Sequence, residues 1–184
     1  CSQSRGLGDV YKRQHINNSD VTIVDVCPVD LIPTLLITVE PESVSETEES
    51  YHVSCNGESV ITKKSIQKEM HQSHSGLVIR TMPNEKSKKS RNYDKNGAPF
   101  LTNQAIDYIA SQGVEHLLVD LPSIDKADDG GKLGNHKRFF QSGKTISELL
   151  FIEDSINDGF GFLHIQIPNW SLDAAPSRPI FYQV

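Results

Sequence analysis

The chain has 184 residues, 36% hydrophobic and 23% charged, which suits one domain with a real core and is too apolar for a disordered chain. Its longest apolar run, residues 31–39, is interrupted by Pro33 and Thr34 and falls far short of a spanning helix. A formal net charge of -6 argues against a nucleic-acid surface, which needs a clustered basic face. The expected partner is therefore a small-molecule substrate, with neither nucleic acid nor membrane, and association into a homo-oligomer stays open.

Cys1, Cys27 and Cys55 form an odd set without a Cys-x-x-Cys pair, so they indicate neither a disulfide framework nor a thiolate metal site and fit a reducing cytoplasm. The chain does not begin with Met and opens without an apolar signal segment, so sequence is expected to be missing upstream. Residues 1–14, ending Gly6-Leu7-Gly8-Asp9-Val10-Tyr11-Lys12-Arg13-Gln14, resemble translated read-through of a sequencing adapter. A natural polar arm is the alternative, and either reading predicts poor order. Residues 15–184 are then a single domain.

From Val21 onward the strongest apolar runs are short, β-branched and bounded by turn residues, as buried strands are. They predict strands near 34–39, 76–81, 115–120, 160–167 and 178–183. Thr62 is placed to cap a helix over 63–71 carrying Ile66 and Met70, and Thr102 one over 103–111 with Ala105, Ile106, Ile109 and Ala110 on one stripe, stopped by Gly113. Alternation of strand and helix predicts an α/β layer, with the last strands free to pair antiparallel.

Two polar stretches interrupt this pattern. Residues 40–50 hold Glu40, Glu42, Glu46, Glu48 and Glu49 and read as a solvated excursion. Residues 84–97 hold Lys86, Lys88, Lys89, Arg91 and Lys95 with one aromatic, Tyr93, and read as a mobile surface loop. The histidines are His15, His52, His71, His74, His116, His136 and His164. His71 and His74 lie three apart without a nearby carboxylate, a weak metal signal, and His116 and His164 fall within strands, where packing is the usual role.

The segment after the third strand crowds polar groups into a loop: Asp120-Leu121-Pro122-Ser123-Ile124-Asp125, then Asp128-Asp129-Gly130-Gly131, then His136-Lys137-Arg138-Phe139-Phe140, and later Ser147-Glu148. A loop leaving the carboxyl end of a strand is where α/β sheets present reactive groups. The Asp-x-Pro-Ser-x-Asp loop, the His-Lys-Arg-Phe-Phe stretch and a Glu twelve positions after that His resemble the cyclase family, which includes bacterial kynurenine formamidases. The C-terminal run Asp173-Ala174-Ala175-Pro176-Ser177-Arg178-Pro179 before a strand is similar to the end of those proteins.

The resemblance implies a swivelling β/β/α fold, a mixed sheet with flanking helices, here incomplete at the N-terminus. It implies a metal-dependent hydrolase of formamides, cyclic amides or related small substrates, of the arylformamidase type found in tryptophan catabolism. It also implies a two-metal site in which His136 and Glu148 match the downstream ligands, with zinc first and manganese second. In the family the other ligands come from a His-x-Gly-Thr-His-x-Asp-like motif, and no segment of this chain reads so. His15 matches only a candidate proton-transfer histidine at the end of that motif.

Chemistry agrees with such a donor set, since a divalent ion held by imidazole and carboxylate makes a water acidic and polarises a carbonyl. Asp120, Ser123 and Asp125 are expected to hold the loop or orient His136. A carboxylate at Glu148, flanked by Ile146, Leu149 and Leu150, needs a cation if it is buried. His136, leaving a short helical piece, and Glu148, on a returning strand, are expected to converge. A non-catalytic binding protein that keeps the fold is the alternative function, and a serine hydrolase is disfavoured because no Gly-x-Ser-x-Gly elbow occurs. One face of the sheet is expected to stand open, marked by exposed apolar residues.

Overall fold

A computed structural model describes residues 10–12, 22–93, 97–141 and 143–184. Its centre is a set of parallel strands: β2 (Ile32–Val39), β5 (Gly76–Thr81), β7 (His116–Val119) and β8 (Thr145–Glu148). Their register lines up Leu35, Leu77, Leu117 and Ile146 in one row, and Leu36, Val78, Leu118 and Ser147 in the next. Successive residues of a strand point to opposite faces, so the two rows feed two different cores. The first row joins a cluster with Ile66, Ile106, Ile109 and Phe139, and the second, Ser147 aside, joins Ile23, Ile152, Ile156, Leu163 and Phe181. Full burial of each such side chain contributes roughly 1.5–3 kcal/mol.

The later strands do pair antiparallel. β9 (Gly159–Gln166) lies between β2 and β11 (Arg178–Gln183), while β1 (Val10–Lys12) lies between β8 and β10 (Ala174–Pro176). Among the described residues this makes one mixed sheet of eight strands in the order β10-β1-β8-β7-β5-β2-β9-β11. A small sheet of β3 (Glu42–Ser43), β4 (Ser59–Ile61) and β6 (Phe100–Leu101) stands beside it.

The α-helices lying wholly within the described residues are α1 (Ile23–Val26), α2 (Lys63–Glu69), α3 (Asn103–Ser111) and α4 (Gly134–Phe140). The caps are those expected: Thr62 Oγ1 accepts from Ser65 N and Thr102 Oγ1 from Ala105 N, each at 3.1 Å. Gly113, at φ 80°, ends α3 in a conformation costly for other residues. No helix among the described residues is long and apolar enough to cross a membrane.

Four expectations change. Within the presumed arm, Val10–Lys12 is taken into the sheet, because the backbone edges of β8 and β10 offer it ladder partners on both sides. Glu42 and Glu49 are only partly exposed and are engaged: Glu42 Oε1 accepts from Thr62 Oγ1, and Glu49 accepts from the amides of Lys63 and Lys64 and from Thr102 Oγ1, tying the starts of α2 and α3 together. The described part of the 84–97 stretch is anchored rather than free. Asn84 donates to Ile152 O at 2.8 Å, and the ammonium of Lys88, 7% exposed, reaches the buried carboxylate of Asp120 at 2.7 Å. Lys95 lies outside the described residues. Both faces of the parallel strands carry buried clusters, so among the described residues the expected open face is confined to β9, where Phe160 is exposed, and other exposed large apolar side chains such as Val29, Leu31, Trp170 and Leu172 lie beyond the strands.

Candidate functional site

The polar centre forms where the loop after β7 meets the start of α4 and the end of β8. Asp125 organises it. Its Oδ1 accepts from Asn135 N and from Tyr51 Oη, both at 2.8 Å, and its Oδ2 accepts from His136 N at 3.1 Å. A side-chain acceptor for the first amides of a helix is an N-terminal cap, so the same carboxylate that starts α4 also faces the ring of His136. Nδ1 of His136 lies 2.7 Å from Oδ2 of Asp125 and Nε2 lies 3.1 Å from Oε1 of Glu148.

Glu148 reaches this point through the alternation of β8. Ile146 faces the helix-side core, and Glu148, two residues later, shares that face. It is fully buried and accepts from Ile124 N at 2.9 Å. Burial alone pushes the His136 imidazole down, but the hydrogen bonds to Asp125 and Glu148, reinforced by both charges, override it and raise it to about 9. Burial likewise acts to raise the Asp125 carboxyl, yet the bonds from His136, Asn135 and Tyr51 hold it below the usual carboxylate range.

Backbone geometry is strained on both flanks. Leu133, at φ 47°, immediately precedes α4, and Leu149, at φ 64°, immediately follows Glu148; they are the non-glycine residues of positive φ among those described. Such conformations persist where surrounding structure over-determines them, commonly at functional sites.

A second donor set adjoins the first. His52, Asp125 and Asp129 each bring one ligand atom within 4.8 Å of the others. His52 Nε2 stands 3.4 Å from Asp129 Oδ2, and its Nδ1 stands 3.3 Å from Asn103 Oδ1. Asp129 also accepts from Lys132 N at 3.0 Å and Leu133 N at 2.6 Å, so it tightens the turn into α4. The His52 ring lies so close over Gly134 that a Cβ there would run into it.

His136, Glu148 and Asp125 are therefore brought together, and Ser123 Oγ accepts from Asp125 N at 3.1 Å, holding the loop. Asp120 is not part of this group. Its carboxylate is taken by Thr81 N at 2.9 Å, Thr81 Oγ1 at 2.8 Å and Lys88, because a buried carboxylate requires a cation and the 84–97 stretch supplies one. His15 lies outside the described residues. His71 is exposed and the ring of His74 packs on Phe160 at 4.8 Å, while Nδ1 of His116 meets Thr145 Oγ1 at 2.7 Å; none of the three joins the metal-ligating group found among the described residues. Tyr51, His52 and Asp129 were not singled out in the sequence. Asp-Asp-Gly-Gly ahead of a short helix is a usable turn-and-cap signal for Asp129, whereas nothing local marks His52.

The Cyclase family model matches residues 14–126, more than half of the chain, and ends before His136 and Glu148. A kynurenine formamidase of Bacillus cytotoxicus is 31% identical over 83 residues, covering 45% of this chain and 39% of that protein, so the match spans well under half of the relative. Among solved structures, a "potential metal-dependent hydrolase with cyclase activity" superposes with a TM-score of 0.67 at 20% identity, covering 95% of this chain and 77% of that one. Isatin hydrolase A from Ralstonia solanacearum superposes with a TM-score of 0.67 at 12% identity, covering 95% and 70%. At these identities the superpositions establish the fold, and they agree with the mixed sheet and flanking helices described above. With the family model spanning most of the sheet's parallel half, the chain belongs to the Cyclase family.

Proposed function

We propose that this chain carries the His136–Glu148 part of the metal centre of a hydrolase that cleaves the carbonyl–nitrogen bond of a small aryl amide, open-chain or cyclic. The observation that carries this reading is the buried Asp125–His136–Glu148 chain, with contacts of 2.7 Å and 3.1 Å. The donor set fits a divalent ion. An imidazole whose Nδ1 is held by a carboxylate presents Nε2 as the ligand, and two ligand atoms each about 2.0–2.2 Å from one ion stand roughly 3 Å apart. His136 and Glu148 would hold the ion, with zinc first and manganese second. Once bound, it would acidify a water and polarise the substrate carbonyl.

The protein's own groups do the rest. Asp125 keeps the proton on Nδ1 and so fixes the tautomer; the amide of Ile124 holds Glu148 in place. His15 is assigned the proton transfer to the leaving nitrogen. The kynurenine formamidase similarity points to a formyl arylamine and the isatin hydrolase fold to a cyclic aryl amide, two forms of one bond class.

The test uses the chain extended upstream as its source encodes it, assayed with N-formylkynurenine and with isatin in the presence of Zn2+ or Mn2+. Turnover that His136→Ala abolishes while the circular dichroism stays native supports the reading; turnover surviving that substitution overturns it. A non-catalytic binding protein is the second reading, favoured by the absence of a His-x-x-Thr-His-x-Asp segment from the sequence. It prevails if the extended chain binds an aryl amide without converting it under any metal.

A further inference from the structure

Tyr51 sits 74 positions before Asp125 in the chain, yet its hydroxyl lies 2.8 Å from Asp125 Oδ1 and accepts from Lys126 N at 2.9 Å. An amide can only donate and a carboxylate only accept, so the single phenolic proton points to Asp125. With Tyr51 Oη and Asn135 N on Oδ1, and His136 N and Nδ1 on Oδ2, the four acceptor positions of this carboxylate are filled. Desolvation, with the Asp125 bond and charge, pushes the Tyr51 phenol above its ordinary value, so the donor persists through the working pH range.

The ring is held as well as the hydroxyl. It packs on Phe100 with centroids 4.7 Å apart and on His52 at 3.9 Å, and Phe100 is a buried residue of β6. A side chain has few ways to move when its ring is packed and its tip is bonded twice. Loop 50–57 thus contributes a rigid support to a centre built otherwise from the loop after β7, α4 and β8.

We infer that Tyr51 is a positioning residue for His136: its hydroxyl holds the Asp125 carboxylate in the one rotamer that keeps Nε2 of His136 aimed at Glu148. The inference rests on the reading of His136 and Glu148 as metal ligands. Phenylalanine at position 51 keeps the ring but removes one of the four donors on Asp125, loosening a carboxylate still bonded to Asn135 N and to His136, and leaves the Lys126 amide without its acceptor. Groups that orient a ligating histidine in this way set metal affinity at a distance from the metal.

The experiment is a titration of the purified chain, extended upstream as its source encodes it, with Zn2+ alone, and separately Mn2+ alone, against a chromophoric competitor, for wild type, His136→Ala and Tyr51→Phe. Tyr51→Phe is expected to weaken binding about tenfold or more, with the far-ultraviolet circular dichroism unchanged. The Nδ1 proton resonance of His136 in the metal-free protein should move downfield, because Asp125, relieved of one donor, draws that proton harder. If wild type binds neither ion, the ligand reading fails and takes this inference with it. If wild type binds, His136→Ala does not, and Tyr51→Phe binds as wild type or tighter, the ligand reading stands and the role of Tyr51 is overturned. Should Tyr51→Phe not fold, 3-fluorotyrosine placed at position 51 keeps ring and hydroxyl but donates more strongly. The His136 resonance must then move upfield, and an unmoved resonance overturns the inference.

Discussion

Oδ2 of Asp125 stands 2.7 Å from Nδ1 of His136, and the same oxygen accepts from the His136 amide at 3.1 Å. One carboxylate thus caps the helix and sets the imidazole carried on it, so helix start and ligand orientation are a single structural event. In Asp125→Asn the amide nitrogen must face donors on one side or the other. The variant is expected to lose about 1–3 kcal/mol of stability and to bind Zn2+ roughly 10–100-fold more weakly. Urea denaturation and a competition titration measure the two effects separately, and affinity equal to wild type would remove Asp125 from the centre.

Stability of the metal-free protein should fall on the alkaline side. The His136 imidazole is raised to about 9 in the folded chain, against roughly 6.5 unfolded. Its contribution is therefore complete below about 6.5 and is lost as pH rises through about 9, a change on the order of 3 kcal/mol. Asp125, held low, acts oppositely: its contribution is present above the unfolded carboxylate value of about 3.9 and is lost as acid protonates it. Denaturant midpoints across this range, in chelator, should show the alkaline decline, and His136→Ala should flatten it.

Metal binding should show the complementary trend. The ion must displace the proton on Nε2, so affinity rises with pH until about 9, where His136 loses that proton. Flat Zn2+ affinity between neutral pH and this value would show that Nε2 is not the ligand atom.

Lys88 and Asp120 form a buried pair at 2.7 Å, with side-chain exposures of 7% and 0%. Burial pushes the Asp120 carboxyl up, against the opposing pull of Lys88. Lys88→Met should cost about 3–5 kcal/mol near neutral pH by leaving a buried carboxylate without its cation, and less in acid, where that carboxyl becomes neutral. The double variant Lys88→Met, Asp120→Asn should recover most of the loss, and a double-mutant cycle in urea reads the coupling.

Leu149 is 37% exposed and held at φ 64°, so its backbone is strained while most of its surface is still covered. In Leu149→Gly, relief of the positive φ offsets the lost side-chain burial, so stability is expected to stay within about 1 kcal/mol of wild type, whereas Leu149→Val should lower it by more, since a β-branched residue tolerates positive φ worst. Thermal melts of the two variants against wild type decide the sign.

Residues 34–39, 76–81 and 178–183 were legible as strands, and Thr62 and Thr102 as helix caps, because periodicity and capping act over a few neighbouring residues and leave a local mark. The positions of His136 and Glu148 on a short helix and a returning strand were legible for the same reason: Gly143 allows the turn, and β8 places Ile146 and Glu148 on one face. The sequence alone also carried the family resemblance, in the order of its motifs. It could not carry the partners of the carboxylates. Asp120 reads as a loop-end acid beside Asp125, but its cation comes from Lys88, 32 positions away, and Asp125 takes a hydroxyl from Tyr51, 74 positions away. Neither Tyr51 nor His52 has neighbours in sequence that signal a role at the site, since what gives them one is the packing of the small sheet and loop 50–57 against the start of α4. Buried charges and phenols take whichever partner the closed chain brings within hydrogen-bond distance, and that choice exists only once the sheet, the helices and the loops have packed.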